Sequence, residues 1–131
     1  MTRIVKAAAL VAFAAALLGC GSAANATPTT ATPTTAPQAI SVQLADFKIV
    51  PASLTATGGH VTFNVTSSGP TIHNFNIRDA SGAGIGATDD LRAGENGTLT
   101  VELAPGQYTF FCAEPGHESL GMHGTLTVTA P

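Results

Sequence analysis

The chain predicts an all-β fold, an antiparallel Greek-key β-sandwich or barrel, on three observations. From Ile40 to Val128 apolar residues alternate with Thr, Ser and Asn in short runs, which is the period of a half-buried strand. Turn signals rich in Gly, Pro and Ser separate the runs, as expected where strands reverse. No window carries an apolar stripe at helical spacing, so packed helical layers are excluded.

A leader and a tether come before the folded part. Arg3 and Lys6 make a positive start, and the apolar run "AAALVAFAAALLG" follows. The run is too short and too rich in small residues for a membrane-spanning helix, so residues 1–19 read as a signal peptide. It closes on "LLGC", which resembles the lipobox of bacterial lipoproteins. That resemblance implies that Cys20 becomes the lipidated first residue of the mature chain. An ordinary secretory leader cut at "ANA", residues 24–26, is the alternative. Residues 20–39 continue as a lipidated Cys and a Thr/Pro-rich linker, with "ATPTTATPTT" as a local duplication. Such a tract has no large apolar side chain to bury and stays disordered. In polyproline II conformation it reaches roughly 60 Å. Two or more acyl chains hold a protein stably on a membrane.

Removal of the leader leaves Lys48, Arg78 and Arg92 against all eight acids, a net charge of −5. No basic face remains, and nucleic acid is excluded as a partner.

The domain runs over residues 40–131, enough for one modest sandwich core. Val42 and Leu44 open the alternation, followed by Val61, Phe63 and Val65 after the turn "TGG". His73, Phe75 and Ile77 share a phase after "SSGP". Leu99, Val101 and Leu103 follow, then Tyr108, Phe110 and Cys112 after "APG", and finally Leu126 and Val128. Residues 80–97, "ASGAGIGATDDLRAGENG", read as a loop with at most one short helical turn.

Parity turns this pattern into a site. Cys112 is in phase with Tyr108 and Phe110, so its thiol points inward at a strand end. His73 is in phase with Phe75 and Ile77, so its imidazole also points inward. The loop after Cys112 adds two more soft donors, His117 and Met122. Singly, each has a bland explanation: a small buried hydrophobe, a satisfied core histidine, a gap filler. Together they crowd a thiol, two imidazoles and a thioether at one end of one sandwich.

C-x4-H-x4-M closing on "GTLTV", with "HN" about forty residues upstream, resembles the cupredoxins, the plastocyanin-, azurin- and auracyanin-like blue copper proteins. "YTFFC" resembles the strand that carries their copper cysteine, and "DFKIVPASLTATGGHVTFNV" their opening strands. The resemblance implies one copper ion per domain, with His73, Cys112 and His117 as strong ligands and Met122 axial. Thiolate, imidazoles and a distant thioether suit both Cu(I) and Cu(II). It also implies that Asn74 ties the two ligand segments together, its backbone N–H donating to the cysteine sulfur. Pro115 removes one possible N–H donor near that sulfur. The loop histidine is expected to reach the surface in a small apolar patch of Gly116, Leu120 and Gly121. Glu114 and Glu118 are expected to form an acidic rim on the same loop.

The implied function is one-electron transfer between redox proteins, a donor and an acceptor, by a monomer at the outer face of a bacterial membrane, periplasmic or on the cell surface. Extracytoplasmic copper storage or delivery through the same site is the alternative. Enzymatic multicopper sites need further histidines, commonly as H-x-H, and a dinuclear purple site needs two loop cysteines. This chain has four histidines, no H-x-H and one loop cysteine, so no enzyme is expected. His60 and His123 read as solvent-exposed, and the sequons at Asn64 and Asn96 as accidental.

Overall fold

The computed structural model describes residues 38–131. The leader, Cys20 and the linker up to residue 37 lie outside the described residues. The first strand begins at Gln38, two residues ahead of the expected domain start, and the Gln38 side-chain oxygen accepts the Thr57 N–H at 2.8 Å.

Nine strands follow in order: β1 (Gln38–Ala45), β2 (Lys48–Val50), β3 (Ser53–Thr57), β4 (Gly59–Ser67), β5 (Asn76–Asp79), β6 (Gly84–Ala87), β7 (Asn96–Leu103), β8 (Gly106–Phe111) and β9 (His123–Thr129). Among the described residues there is no helix. One sheet runs β2-β1-β4-β7 and the other β3-β9-β8-β5-β6. The expectation of a purely antiparallel arrangement is corrected, because β1 pairs with β4 and β3 with β9 in parallel. The chain leaves β1 through a hairpin to β2, crosses to the second sheet as β3, and returns as β4 beside β1. That crossover, rather than a hairpin, is what makes two neighbours run the same way.

Alternation builds the core. Along β4 Val61, Phe63 and Val65 are buried while His60, Asn64 and Thr66 alternate outward or at the margin. Along β9 Leu126 and Val128 face in, and Thr125, Thr127 and Thr129 face out. Three phenylalanines bridge the sheets, Phe63 against Phe75 at 5.3 Å and Phe75 against Phe110 at 5.5 Å between ring centroids. Full burial of one such side chain stabilises the fold by about 1.5–3 kcal/mol. Tyr108 hydroxyl donates to the Ala104 carbonyl at 2.9 Å and latches the turn between β7 and β8.

Residues 80–97 contain no helical turn. They hold β6, which pairs with β5, and a buried Leu91 whose backbone exchanges hydrogen bonds with His73 at 2.7 and 3.0 Å. Glycine here lowers strand propensity, which is why the stretch reads as loop. In the fold it also permits close packing, since a Cβ at Gly86 would lie 2.8 Å from a Val101 methyl.

Gly124 has the tightest surroundings of this kind. A Cβ there would overlap the Phe110 ring and the Ala52 carbonyl, both fixed by the core. Gly124→Ala is therefore expected to destabilise the domain by about 1–3 kcal/mol, the usual range for overpacking. Urea unfolding of variant and parent measures it.

Candidate metal centre

The site lies where β8 ends, beside the segment that joins β4 to β5. Period-two alternation carries the Cys112 side chain inward one residue beyond β8, and it is fully buried. His73 is carried inward by its backbone bridge to Leu91 and is also fully buried. His117 comes from the loop and is half-buried. One ligand atom from each of the three residues lies within 4.8 Å of the others. His117 Nδ1 is 3.6 Å from Cys112 Sγ, and the two imidazole centroids are 5.2 Å apart.

The loop that supplies His117 and Met122 is folded on itself by backbone bonds. Cys112 N–H donates to Met122 O at 3.0 Å, and Met122 N–H donates to His117 O at 3.0 Å. His117 N–H donates to Glu114 O at 3.0 Å. Gly116 and Gly121 take φ of 84° and 106°, the left-handed region that glycine enters without a steric penalty. Met122 is fully buried on the loop's return to β9.

Asn74, nearly buried, links the two segments through its side chain. Its Oδ1 accepts the Ala113 N–H at 2.7 Å, and its Nδ2 donates to Asp90 at 2.9 Å and to Glu114 at 3.4 Å. Burial pushes the Cys112 thiol up, while the backbone N–H groups of Asn74 and Glu114, donating to the sulfur, pull it back in part. Pro115 is exposed one residue beyond Glu114, so it leaves both of these donors in place.

The donor set fits a soft metal. Among the described residues His73 Nδ1 is a buried nitrogen with no hydrogen-bond partner, and an unpartnered buried polar atom costs about 1–3 kcal/mol. An unpaired imidazole nitrogen, a buried thiol and a second imidazole nitrogen facing it are a nitrogen–sulfur set suited to copper.

On the outer side, Leu120 is 62% exposed. Phe47, from the turn between β1 and β2, is also exposed and meets the His117 ring edge-on at 5.3 Å. Glu118 is not a free rim charge. Arg78 forks onto its carboxylate, one arm at 3.1 Å, and lies 4.3 Å over the Phe111 ring. The pair holds Glu118 below the usual carboxylate range and ties the loop to β5. Other acids near the site are Asp90 and Glu114, both on Asn74, and Asp46, 3.2 Å from His73 Nε2. His60 and His123 are exposed. Asp46, Phe47, Thr71 and Arg78 touch the site's side chains and were not legible as site residues. Thr71 is only two positions from His73, while the other contacts join residues far apart, up to 70 positions between Phe47 and His117, and leave no local spacing to read.

The copper-free domain should lose stability as pH rises. The folded thiol titrates above its unfolded value, so its contribution is complete below the ordinary thiol range and is lost as pH climbs through the raised value. Unfolding midpoints across a pH series, with Cys112→Ala as a control lacking this dependence, check it.

A family model described as the cupredoxin-like domain matches residues 9–128. Auracyanin-B of Chloroflexus aurantiacus is 55% identical over 40 residues, 30% of this chain and 17% of that protein. The chain thus matches under a fifth of this curated relative's length. Among solved structures, auracyanin B superposes with a TM-score of 0.65 at 25% identity, over 70% of this chain and 88% of that one. Dithionite-reduced auracyanin from Roseiflexus castenholzii has a TM-score of 0.64 at 24% identity, covering 70% and 97%. Auracyanin A of Chloroflexus aurantiacus, titled a "blue" copper protein, has 0.64 at 21% identity, covering 71% and 99%. The last two speak for the fold alone.

Proposed function

The chain belongs to the cupredoxin-like domain family, and on that premise we propose that it is a blue copper protein acting as a one-electron carrier between redox proteins. The observation that carries this reading is the trio His73, Cys112 and His117, with two members buried and the third half-buried beside exposed apolar side chains. His73, Cys112 and His117 would hold one copper ion in the strong positions, with Met122 as the axial thioether. When bound, copper supplies the Cu(II)/Cu(I) couple.

The chain's own residues do the rest. The buried faces of Cys112, His73 and Met122 exclude water, and backbone bonds among residues 112–122 keep the donors from moving between oxidation states. A site that changes little on electron gain or loss transfers electrons with little reorganisation. Asn74 braces the loop around the sulfur, and Pro115 offers no N–H donor to it. The His117 ring edge is the exit, and Gly116, Leu120 and Gly121 let a partner come close. Glu118 serves this surface by bracing the loop through Arg78. The role is a carrier's, not an enzyme's, and the protein works as a monomer.

On this reading Cys20 bears the lipid. The linker from residue 20 to β1 at Gln38 tethers the domain to the outer face of a bacterial membrane, in the periplasm or at the cell surface. Both redox partners are then met there.

Cys112→Ser should abolish an intense visible absorption in the copper-loaded protein, because that colour comes from charge transfer out of the thiolate and a hydroxyl is a poor, protonated donor. Visible spectra of parent and variant after Cu(II) addition test the assignment, and a blue Cys112→Ser protein would end it. Leu120→Glu should slow electron exchange with the partner about tenfold or more, as a charge buried in an apolar contact costs more than 1.4 kcal/mol, while colour stays the same. Stopped-flow exchange measures this, and an unchanged rate would move the docking surface elsewhere.

A further inference from the structure

The turn between β1 and β2 consists of Asp46 and Phe47 and touches both imidazoles. Asp46 Oδ1 lies 3.2 Å from His73 Nε2 and accepts the Thr71 hydroxyl at 2.8 Å. Thr71 Oγ1 itself lies 3.1 Å from the same nitrogen. Phe47 places its ring edge-on against His117. Phe47 has φ of 58°, a region that is uncommon for a bulky side chain. The turn is held there by its surroundings, and such outliers cluster at functional sites.

Proton logic settles which nitrogen of His73 is which. A carboxylate accepts only, and Thr71 has one hydroxyl proton, already given to Asp46. Were Nε2 unprotonated, the single Thr71 hydroxyl proton could not serve both it and Asp46, and the carboxylate oxygen would face the nitrogen lone pair at 3.2 Å. Nε2 therefore carries the proton, shared between Asp46 and Thr71. The lone pair is then on Nδ1, the buried nitrogen without a hydrogen-bond partner, on a ring that shares one donor cluster with Cys112 and His117. Gly69 makes the room, since a Cβ there would lie 2.5 Å from Asp46 Oδ1 and 2.7 Å from His73 Nε2.

We infer that Asp46 is a positioning residue for the copper site: with Thr71 it fixes the Nε2–H tautomer of His73, aims Nδ1 into the donor cluster, and sets a negative charge behind the imidazole that favours Cu(II) over Cu(I). This rests on the reading of His73 as a ligand. A carboxylate bonded to the far nitrogen of a ligating imidazole orients the ring and strengthens its donor nitrogen. Here the carboxylate is partly exposed and the imidazole fully buried, so the ion meets water on one side while its field reaches inward on the other.

Two variants separate geometry from charge. Asp46→Asn keeps an oxygen acceptor and loses the charge; Asp46→Ala loses both. The His73 tautomer is read on the copper-free full chain by long-range nitrogen–proton NMR. Cu(II) affinity is read by chelator competition, and the reduction potential by titration. The copper-free parent and Asp46→Asn should both show a single Nε2–H tautomer, and Asp46→Ala a mixture. Cu(II) affinity should fall about 10–100-fold in Asp46→Ala. In Asp46→Asn the potential should rise, by about 59 mV for each tenfold loss of preference for Cu(II). A parent His73 protonated on Nδ1, or an Asp46→Ala chain with tautomer and affinity unchanged, would overturn the inference. Should Asp46→Ala not fold, the parent tautomer and the Asp46→Asn potential decide. Undiminished copper affinity in His73→Ala would defeat the ligand reading itself, and that result is separate from the copper-free spectra.

Discussion

A thiol and two imidazole nitrogens held within 4.8 Å of one another are what the rest of this domain has to support. Without metal the arrangement is unfavourable. Burial disfavours ionisation of the sulfur, and a buried nitrogen forgoes the hydrogen bond it would have in water. A chain free to relax would turn His73 outward and let the loop open. The sandwich prevents this by fixing the backbone on both sides. His73 is bridged to Leu91, and Cys112 is bonded to Met122. The donors are therefore positioned by the fold, and an ion that binds only the folded form stabilises it by an amount that grows with the logarithm of its affinity.

The supports come from different parts of the chain and converge on one end. Asn74 collects Ala113 from the ligand loop and Asp90 from the stretch after β6. Arg78 on β5 clamps Glu118. The hairpin turn after β1 reaches His73 and His117. Each tie spans at least 16 residues, so each needs segments distant in the chain to have come together first. The site is then a property of the finished sandwich and not of the loop alone.

This explains what could be read in advance. The side-chain period of a strand is two and tolerates no slippage where one face is buried. Parity therefore places His73 and Cys112 inward without knowledge of the neighbours, and the buried sets on β4, β7 and β9 follow in the same way. The parallel pairings of β1 with β4 and β3 with β9 depend on a crossover that local alternation does not encode. β6 was hidden by its glycines, one of which, Gly86, packs closely against Leu99 and Val101 on another strand. Glu118 looked like a free acid since its partner Arg78 is 40 positions away. Asp46 was silent for the same reason, 27 positions from His73, and Gly69 because its role is the room it leaves beside that ring.

The two imidazoles are held in unlike ways, and the difference has a physical use. His73 is enclosed, its backbone pinned by Leu91 and its far nitrogen taken by Asp46 and Thr71. His117 is half-buried, its Nδ1 aimed at the sulfur and its ring met by an exposed phenylalanine. If both rings were enclosed, the centre would be stable but distant from any partner. If both were open, water would reach the sulfur and the donors would lose their fixed geometry. One closed and one open imidazole satisfy both demands. Charge follows the same division: the carboxylate of Asp46 stands behind the closed ring, while the open one is bordered by Phe47 and Leu120, which carry no charge for a partner to desolvate.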